Sequence, residues 1–204
     1  MSIFAPNEYS VGVTKREQIL NKSLHLFAER GIQATPMSLI VAESGVATGT
    51  IYHHFKSKQE IIEALYLEFK KELGKAFHHS FKQDQSFYQQ FESIWRGVFE
   101  FYLREPLKFR FSQQVTHSHY IDEELKQEGL SHYQVFFDFF KAGMKKGEFV
   151  QIDLHLALEL VHGGVVSLAN LHLKEKINNL ELNIKEAMQF AWRGITKTKL
   201  DQHE

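Results

Sequence analysis

Apolar residues recur every three to four positions along almost the whole chain, which is the spacing of one face of an α-helix. No stretch alternates apolar and polar residues with the two-residue period of a half-buried strand. The first helix is predicted to begin at Thr14, which has capping-box spacing with Glu17, and to end at Gly31. Three further helices are predicted at 35–45, 48–55 and 57–80. The pattern therefore predicts an all-α fold.

Beyond about residue 82 the predicted helices become longer and richer in phenylalanine. They are expected at 84–104, 107–119, 121–146, 153–174 and 181–199. This change in character predicts a flexible leader at 1–13 and a group of short helices at 14–60, whose last helix continues to about 80. A second domain of long helices is expected at 81–204.

Composition and charge narrow the class of protein. The chain has 204 residues, 43% of them hydrophobic, which is enough to bury a substantial core. Its net charge is −1, so any contact with nucleic acid must come from local rather than overall charge. It has no cysteine, which excludes disulfides, thiolate metal sites and cysteine nucleophiles. We find neither a signal peptide nor an apolar run near the length of about 20 residues that spans a bilayer, so we expect a cytoplasmic protein without a membrane partner.

The segment between Gly31 and Ile62 carries the strongest functional signal. Two short predicted helices flank Gly45, which can adopt the positive φ that a tight turn requires. Ile40, Val46 and Ile51 are spaced to form a small core between these helices. This is the arrangement of a helix-turn-helix, whose second helix enters the major groove of DNA.

The same segment resembles the DNA-binding signature of the TetR family of transcriptional regulators. The resemblance lies in the runs 31–35, 45–46, 49–55 and 57–58, together with Ile40. It covers about 50 residues with the first helix included, and the rest of the chain is similar only in the number and length of its helices. It implies an N-terminal three-helix DNA-binding domain followed by a helical domain for ligand binding and dimerisation.

The resemblance also implies a role for each matching residue. Thr35 would donate to a phosphate, the start of the second short helix would read bases, and Lys58 would bind phosphate at the start of the next helix. The implied DNA-binding residues are Thr35, Ser38, Ala47, Thr48, Gly49, Thr50, Tyr52, His53, His54 and Lys58. Three positions depart from the common family pattern: Ser38 stands where relatives often carry arginine, Thr48 replaces a frequent lysine, and Ala47 replaces a capping serine. The lost cap costs about 1 kcal/mol of helix stability.

Small residues on the last two predicted helices indicate a dimer interface. Glycine inside a helix lowers helix stability by about 1 kcal/mol relative to alanine. Close approach of another helix would explain why the adjacent pair Gly163-Gly164 occurs in a helix despite this cost. The predicted interface residues are Gly163, Gly164, Ser167, Ala187, Ala191 and Gly194. Packing of these residues within one subunit is the alternative. We expect a homodimer on a palindromic double-stranded operator.

Aromatic residues of the second domain, interrupted by a few polar ones, are typical of an apolar ligand pocket. The predicted ligand-binding residues are Trp95, Phe99, Tyr102, Phe109, Gln113, Thr116, His117, Phe136, Phe140 and His162. No Lys or Arg was found among the inward positions, so the expected effector is an apolar or aromatic small molecule without a buried anionic group. Most such aromatic stripes are simply core.

Two alternatives remain open on the sequence alone. The first is a helical regulator controlled by a protein partner, with a filled core and no small-molecule pocket. The second is a helical enzyme, for which neither a catalytic constellation nor a Gly-x-Ser-x-Gly, phosphate-loop or dinucleotide motif appears. Glu159 and His162 have Glu-x-x-His spacing, a weak metal signal without carboxylate partners. We therefore expect neither a metal nor another cofactor.

Overall fold

The fold is described from a computed structural model, which places residues 13–81, 84–116 and 118–197. These residues form ten α-helices and one isolated bridge between Phe149 and Thr196, which confirms the all-α prediction. The helices are α1 Lys15–Arg30, α2 Met37–Glu43, α3 Thr48–His54, α4 Lys58–Ser80, α5 Phe87–Arg104, α6 Pro106–Val115, α7 Glu123–Ser131, α8 Gln134–Lys146, α9 Leu154–Leu173 and α10 Leu180–Ile195.

The chain divides into two compact units. The described residues up to Tyr66, together with 110–122, form the N-terminal unit. Residues 67–109, together with the described residues from 123 onward, form the C-terminal unit. Helices α4 and α6 thus each contribute residues to both units, whereas the sequence pattern had placed all of 107–119 in the second domain.

The N-terminal unit is built around the buried face of α1. The capping box forms as predicted: Glu17 N–H donates to Thr14 Oγ1 at 3.2 Å, and Thr14 N–H donates to the Glu17 carboxylate at 2.8 Å. Gly45 has φ +66° in the turn between α2 and α3, and Gln18 of α1 donates to the carbonyl of Ser44 at 3.0 Å. The turn is therefore held from below by α1.

The side chain of Gln114 explains why the end of α6 belongs to this unit. Its Oε1 accepts from the backbone N–H of Ile32 at 2.9 Å, and its Nε2 donates to the carbonyl of Phe27 at 2.8 Å. Phe111, one turn earlier, stacks on Phe27 with ring centroids 6.0 Å apart. The side-chain amide of Gln114 thus pairs with one backbone N–H and one backbone carbonyl at the end of α1 and the start of the following loop.

The C-terminal unit has a core dominated by aromatic rings. Phe149 reaches into it from the loop after α8 and is 1% exposed, with its ring within 5.7 Å of the rings of Phe87, Phe139, Phe140 and Trp192. A Cβ at Gly143 of α8 would overlap the Phe149 ring, so only glycine fits there. The last helix is joined to this loop, since Val150 N–H donates to the Ile195 carbonyl at 2.8 Å.

The single helix predicted at 121–146 is wrong, because the structure has two helices that break at His132 and Tyr133. The His132 carbonyl lies against Gly74 of α4, where a Cβ would be only 2.6 Å away. Tyr133 is buried edge-to-face against Phe77 of the same helix, with ring centroids 5.1 Å apart. The break thus depends on packing against α4, and no proline or glycine at 132–133 marks it.

Candidate functional site

Helix α3 presents one polar, exposed face above a buried anchor. Ile51 is fully buried and Phe55 nearly so, which fixes the helix on the N-terminal unit. Among the predicted DNA-binding residues, Ser38, Ala47, Thr48, Gly49, Tyr52 and His53 are exposed, and Thr50 and His54 are half-buried. The structure therefore leaves most of the predicted set on the surface, with Tyr52 the largest side chain among them.

The charge along this segment favours a polyanion. Residues 44–59 include Lys56, Lys58, His53 and His54 but no aspartate or glutamate. The net charge of the chain is −1, but charge near the surface acts locally at physiological ionic strength, so the sign of the charge along this segment matters more than the total. The segment that carries α3 consequently contributes no carboxylate of its own that would repel phosphate.

The start of α3 lacks a side-chain cap. Ala47 occupies the N-cap position and makes no side-chain hydrogen bond, while its carbonyl accepts from the N–H groups of Thr50 and Ile51. A Cβ built at Gly49 would meet nothing within 4 Å. The surface at the start of α3 is therefore open and built from very small side chains.

Thr35 is not available as a phosphate donor, so that prediction is corrected. Its side chain is fully buried, and its hydroxyl donates to the carbonyl of Gly31 at 2.8 Å, with the carbonyl of Leu26 at 3.4 Å. A hydroxyl has one proton, which is used here to hold the end of α1. The residue supports the site from below rather than lining it.

Lys58 has a second role that sequence reasoning missed. Its ammonium donates to the carbonyl of Ile32 at 3.0 Å and so ties the start of α4 to the loop before α2. An ammonium has three N–H donors, so a phosphate contact remains compatible with this bond. Removing the side chain would disturb the fold as well as any phosphate contact.

The C-terminal unit contains a small apolar cavity between α4, α5, α8 and α9. The volume that the centre of a water molecule can occupy in this cavity is about 20 Å³, so it has room for about one water molecule. The aromatic residues around this cavity therefore leave it nearly filled. The lining residues are Phe77, Phe91, Ile94, Trp95, Val98, Phe136, Val161, His162 and Val165.

Only part of the predicted ligand-binding set reaches this cavity. Trp95, Phe136 and His162 line it, while Phe99, Tyr102, Phe109 and Phe140 are buried in the surrounding core. Gln113 and Thr116 are wrongly placed in the predicted set, because both belong to the N-terminal unit. Gln113 is exposed there, and the hydroxyl of Thr116 donates to the Ser112 carbonyl at 2.8 Å. His117 lies outside the described residues.

A polar cluster adjoins the cavity. The Tyr102 hydroxyl and Nε2 of His162 are 2.6 Å apart, and Lys70 of α4 places its ammonium 5.0 Å from the centre of the Tyr133 ring. Burial raises the pKa of Tyr102, and the Glu159 carboxylate raises it further. Burial lowers the pKa of Lys70 to about 8, against a smaller opposing effect of Glu159. Lys70 is thus a cation close to the cavity, although it is not one of the lining residues.

His162 makes stability depend on pH. Burial, with a smaller effect of the Lys70 charge, lowers its pKa to about 4. The unfolded chain would bind this proton near its ordinary pKa of about 6.5, so the unfolded state takes up more protons between about pH 6.5 and pH 4. The stability that neutral His162 provides is thus fully present above about pH 6.5 and is lost as the pH falls through that window.

We expect the free energy of unfolding to drop by about 2 kcal/mol between pH 7 and pH 5 through this residue. Denaturant titrations at both pH values should show a smaller drop in His162→Gln than in the wild type. His155→Gln, an exposed histidine on the same helix, is the matched control and should keep the wild-type slope. An unchanged slope in His162→Gln would contradict the assignment.

Helices α9 and α10 leave a large apolar surface exposed. Leu156, Leu160 and Leu171 follow one stripe of α9, and Leu160 is 62% exposed. Phe190 of α10 is 85% exposed, the highest value among the large hydrophobic residues described. We call the exposed residues Leu156, Leu160, Ser167, Leu171, Leu182 and Phe190, together with Gly163, Gly164 and Gly194, the α9–α10 face.

The predicted dimer residues differ in how open they are. A Cβ at Gly163, Gly164 or Gly194 would meet nothing within 4 Å, and Ser167 is exposed, so these four positions are open. Ala187 and Ala191 are half-buried and pack against the core of their own unit, so they are less open than the other four, and their place in an interface stays a prediction. By length and composition alone α9 could cross a bilayer, which corrects the expectation that no apolar run approaches that length, but six of its residues lie in the core. Its apolar character is explained by packing inward and by this face.

Two family models match consecutive parts of the chain. The family model described as bacterial regulatory proteins, tetR family, matches residues 19–65. The model described as tetracyclin repressor-like, C-terminal domain, matches residues 86–196. The second match alone covers more than half of the chain.

Individual relatives agree with these models. The chain is 35% identical over 65 residues to the HTH-type transcriptional repressor KstR2 of Mycolicibacterium smegmatis, a match that covers 32% of each chain. It is 28% identical over 90 residues to an HTH-type transcriptional regulator of Haemophilus influenzae, which covers 44% of this chain and 48% of that protein. The matched segments thus span about a third to a half of the length of these curated relatives.

Solved structures extend the likeness to nearly the whole fold. A TetR family transcription regulator from Marinobacter aquaeolei superposes with a TM-score of 0.83 at 20% identity, over 90% of this chain and 96% of that one. The ketosteroid transcriptional regulator KstR2 of Mycobacterium tuberculosis superposes with a TM-score of 0.68 at 18% identity, over 92% of this chain and 97% of that one. At these identities the likeness shows the fold.

Proposed function

Since this chain belongs to the TetR family of transcriptional regulators, we propose that it is a repressor that binds a palindromic operator as a homodimer and is released by a small apolar effector. The family and its relatives are regulators rather than enzymes. The observation that carries the proposal is the exposed face of α3, with small side chains at its start, the buried Ile51 beneath and no carboxylate along 44–59. As a regulator of transcription it would act in the cytoplasm.

The shape of the start of α3 supports direct reading of bases. Ala47, Thr48 and Gly49 are exposed and short, so a base edge can approach the helix backbone closely. Tyr52 lies one turn later and is 47% exposed, which suits contact with a phosphate or a thymine methyl. Ser38 on α2 is exposed but neutral, so it would contribute hydrogen bonding rather than charge.

Gly49→Ala tests this function most cleanly. The added methyl group meets nothing within 4 Å in the free protein, so thermal stability should be unchanged or slightly raised. If this surface lies in the major groove, the methyl group displaces the bases, and we expect operator affinity to fall at least about 10-fold, comparable to a wrong base pair.

The operator would first be selected by the wild-type protein from a random duplex library, and affinity then measured by fluorescence anisotropy. Gln113→Ala changes another exposed residue of the same unit and should bind like the wild type. Wild-type affinity in Gly49→Ala would count against α3 as the recognition helix.

The α9–α10 face supports the homodimer. Large exposed apolar patches on soluble proteins are uncommon and mark interaction surfaces. Gly163 and Gly164 leave the backbone of α9 open to close approach by another helix. A face of this kind on two helices of each copy would meet its own two-fold mate, which matches the symmetry of a palindromic operator.

The cavity supports the effector only if side chains move. It admits about one water molecule, so a ligand must separate rings such as Phe77 and Phe136, which now stack at 4.8 Å. Two structural neighbours are named as a ketosteroid regulator and a fatty acid degradation regulator, and both names refer to largely apolar compounds. The same small cavity favours the second candidate, a regulator controlled by a protein partner, and ligand titrations distinguish the two.

A further inference from the structure

The polar groups on the wall of the cavity indicate what kind of ligand it would accept, an inference that rests on the proposed effector function. Seven of the nine lining residues are apolar or aromatic hydrocarbons, and the other two are Trp95 and His162. Among the described residues that line the cavity, these two are the only ones with polar side chains, so a side-chain hydrogen bond from this wall would come from them.

Trp95 offers a hydrogen-bond donor without an acceptor. The residue is 1% exposed, and its Nε1 has no hydrogen-bond partner among the described residues. An indole N–H can only donate. A buried donor left unpaired destabilises the state in which it is unpaired, so a ligand that brings an acceptor regains that loss.

His162 offers a second donor. Its Nε2 lies 2.6 Å from the hydroxyl of Tyr102, for which no other hydrogen-bond partner is described. If Tyr102 donates to Nε2, the hydroxyl proton is satisfied and the single proton of a neutral imidazole sits on Nδ1. The lowered pKa of His162, caused first by burial and then by the Lys70 charge, keeps this imidazole neutral at physiological pH.

The charge around the cavity favours an uncharged ligand. Both wall donors are neutral, and the nearby charges of Lys70 and Glu159 are opposite in sign and act on each other. A carboxylate brought into this wall would give up its water for neutral donors, an exchange that burial makes unfavourable. An uncharged oxygen gives up far less hydration and gains the same donors.

We propose that the effector is an uncharged, mainly apolar molecule with one acceptor oxygen, such as a ketone or ester carbonyl, which Nε1 of Trp95 binds. Room for the molecule is made by displacement of α9, where Val161 and Val165 line the cavity. Gly163 and Gly164 lie between these two valines, and glycines weaken a helix at the place where it must yield. Trp95 sets the position of the oxygen, and the apolar wall accepts the remainder.

Three probes of one ring system test the proposal by calorimetric titration of the full-length protein: tetralin, its ketone α-tetralone, and tetralin-α-carboxylate. We expect the wild type to bind α-tetralone about 3- to 30-fold more tightly than tetralin, the gain from one buried hydrogen bond, and to bind the carboxylate most weakly. Trp95→Phe keeps an aromatic ring but removes the N–H, so it should bind ketone and hydrocarbon about equally. Trp192→Phe, the chain's other tryptophan, is the matched control and should retain the preference.

A second measurement keeps the proposal testable if Trp95→Phe does not fold. In Trp192→Phe the indole N–H of Trp95 is the only one, and its proton resonance should shift with α-tetralone but not with tetralin. Equal binding of tetralin and α-tetralone by the wild type, tightest binding of the carboxylate, no binding of any probe, or equal shifts of the resonance would each overturn the proposal.

Operator binding is measured separately with each probe. If α-tetralone binds at Trp95 and leaves operator affinity unchanged, the effector function fails and the ligand chemistry stands. If only the carboxylate releases DNA, the ligand chemistry fails and the effector function stands.

Discussion

Replacing Gly143 with alanine is expected to lower the free energy of unfolding by about 3 kcal/mol, the upper end for overpacking a core. The new methyl group would overlap the ring of Phe149, which is 1% exposed. That ring cannot retreat, because Phe139, Phe140 and Trp192 surround it. The cost must therefore appear as displacement of α8 or of the loop that carries Phe149.

Calorimetry or thermal circular dichroism would measure this effect, and a loss of about 3 kcal/mol corresponds to about 6–12 °C in a chain of this size. Gly49→Ala is the matched control, since the same substitution in α3 meets nothing within 4 Å and should not lower the melting temperature. Equal melting temperatures for Gly143→Ala and the wild type would show that Phe149 is not held as the structure describes.

If the protein is the dimer proposed above, Leu160→Glu is expected to convert it to a monomer and to reduce operator affinity at least about 100-fold, since a palindromic site needs two linked recognition helices. Leu160 is 62% exposed near the middle of the α9 stripe. In a two-fold interface both copies contribute the same residues, so one substitution changes the interface twice. Leu160→Glu would therefore bury two carboxylates without partners. The single copy should keep its own core, because this side chain does not contribute to it.

Light scattering at micromolar concentration gives the mass, and anisotropy on the selected operator gives the affinity. Val13→Glu adds the same charge at a residue of similar exposure, 61%, outside the α9–α10 face, and should keep the dimer mass. A wild-type protein of monomer mass, or a Leu160→Glu protein of dimer mass, would contradict this interface.

The features that could be predicted from sequence are those decided by neighbours along the chain. The capping box at Thr14 and Glu17 and the turn at Gly45 depend on residues within one or two turns, and both appear as expected. The resemblance in 31–58 rests on the same kind of local chemistry. The helical character of the second domain likewise follows from periodicity, which reports burial on one side of a helix.

The features that could not be predicted depend on distant contacts. The break at His132 packs closely against Gly74, which lies 58 positions earlier in the chain. The sequence predicts that Gln113 points inward, but its neighbour Gln114 makes the internal hydrogen bonds. Adjacent side chains point about 100° apart around a helix, so an error of one residue turns an inward position outward. Lys70 lies on a helix that the pocket prediction did not include.

The missing cap at Ala47 has a consequence for the energetics of recognition. Helix α3 has seven residues, among them Gly49 and the β-branched Thr48, Thr50 and Ile51, so the isolated segment would have almost no intrinsic helicity. The burial of Ile51 and Phe55 stabilises its helical form, and no side-chain cap opposes fraying at its start. Ordering this end of α3 on DNA therefore costs conformational entropy, which reduces the net binding free energy. Discrimination between DNA sequences then depends on how well each DNA sequence orders the start of the helix.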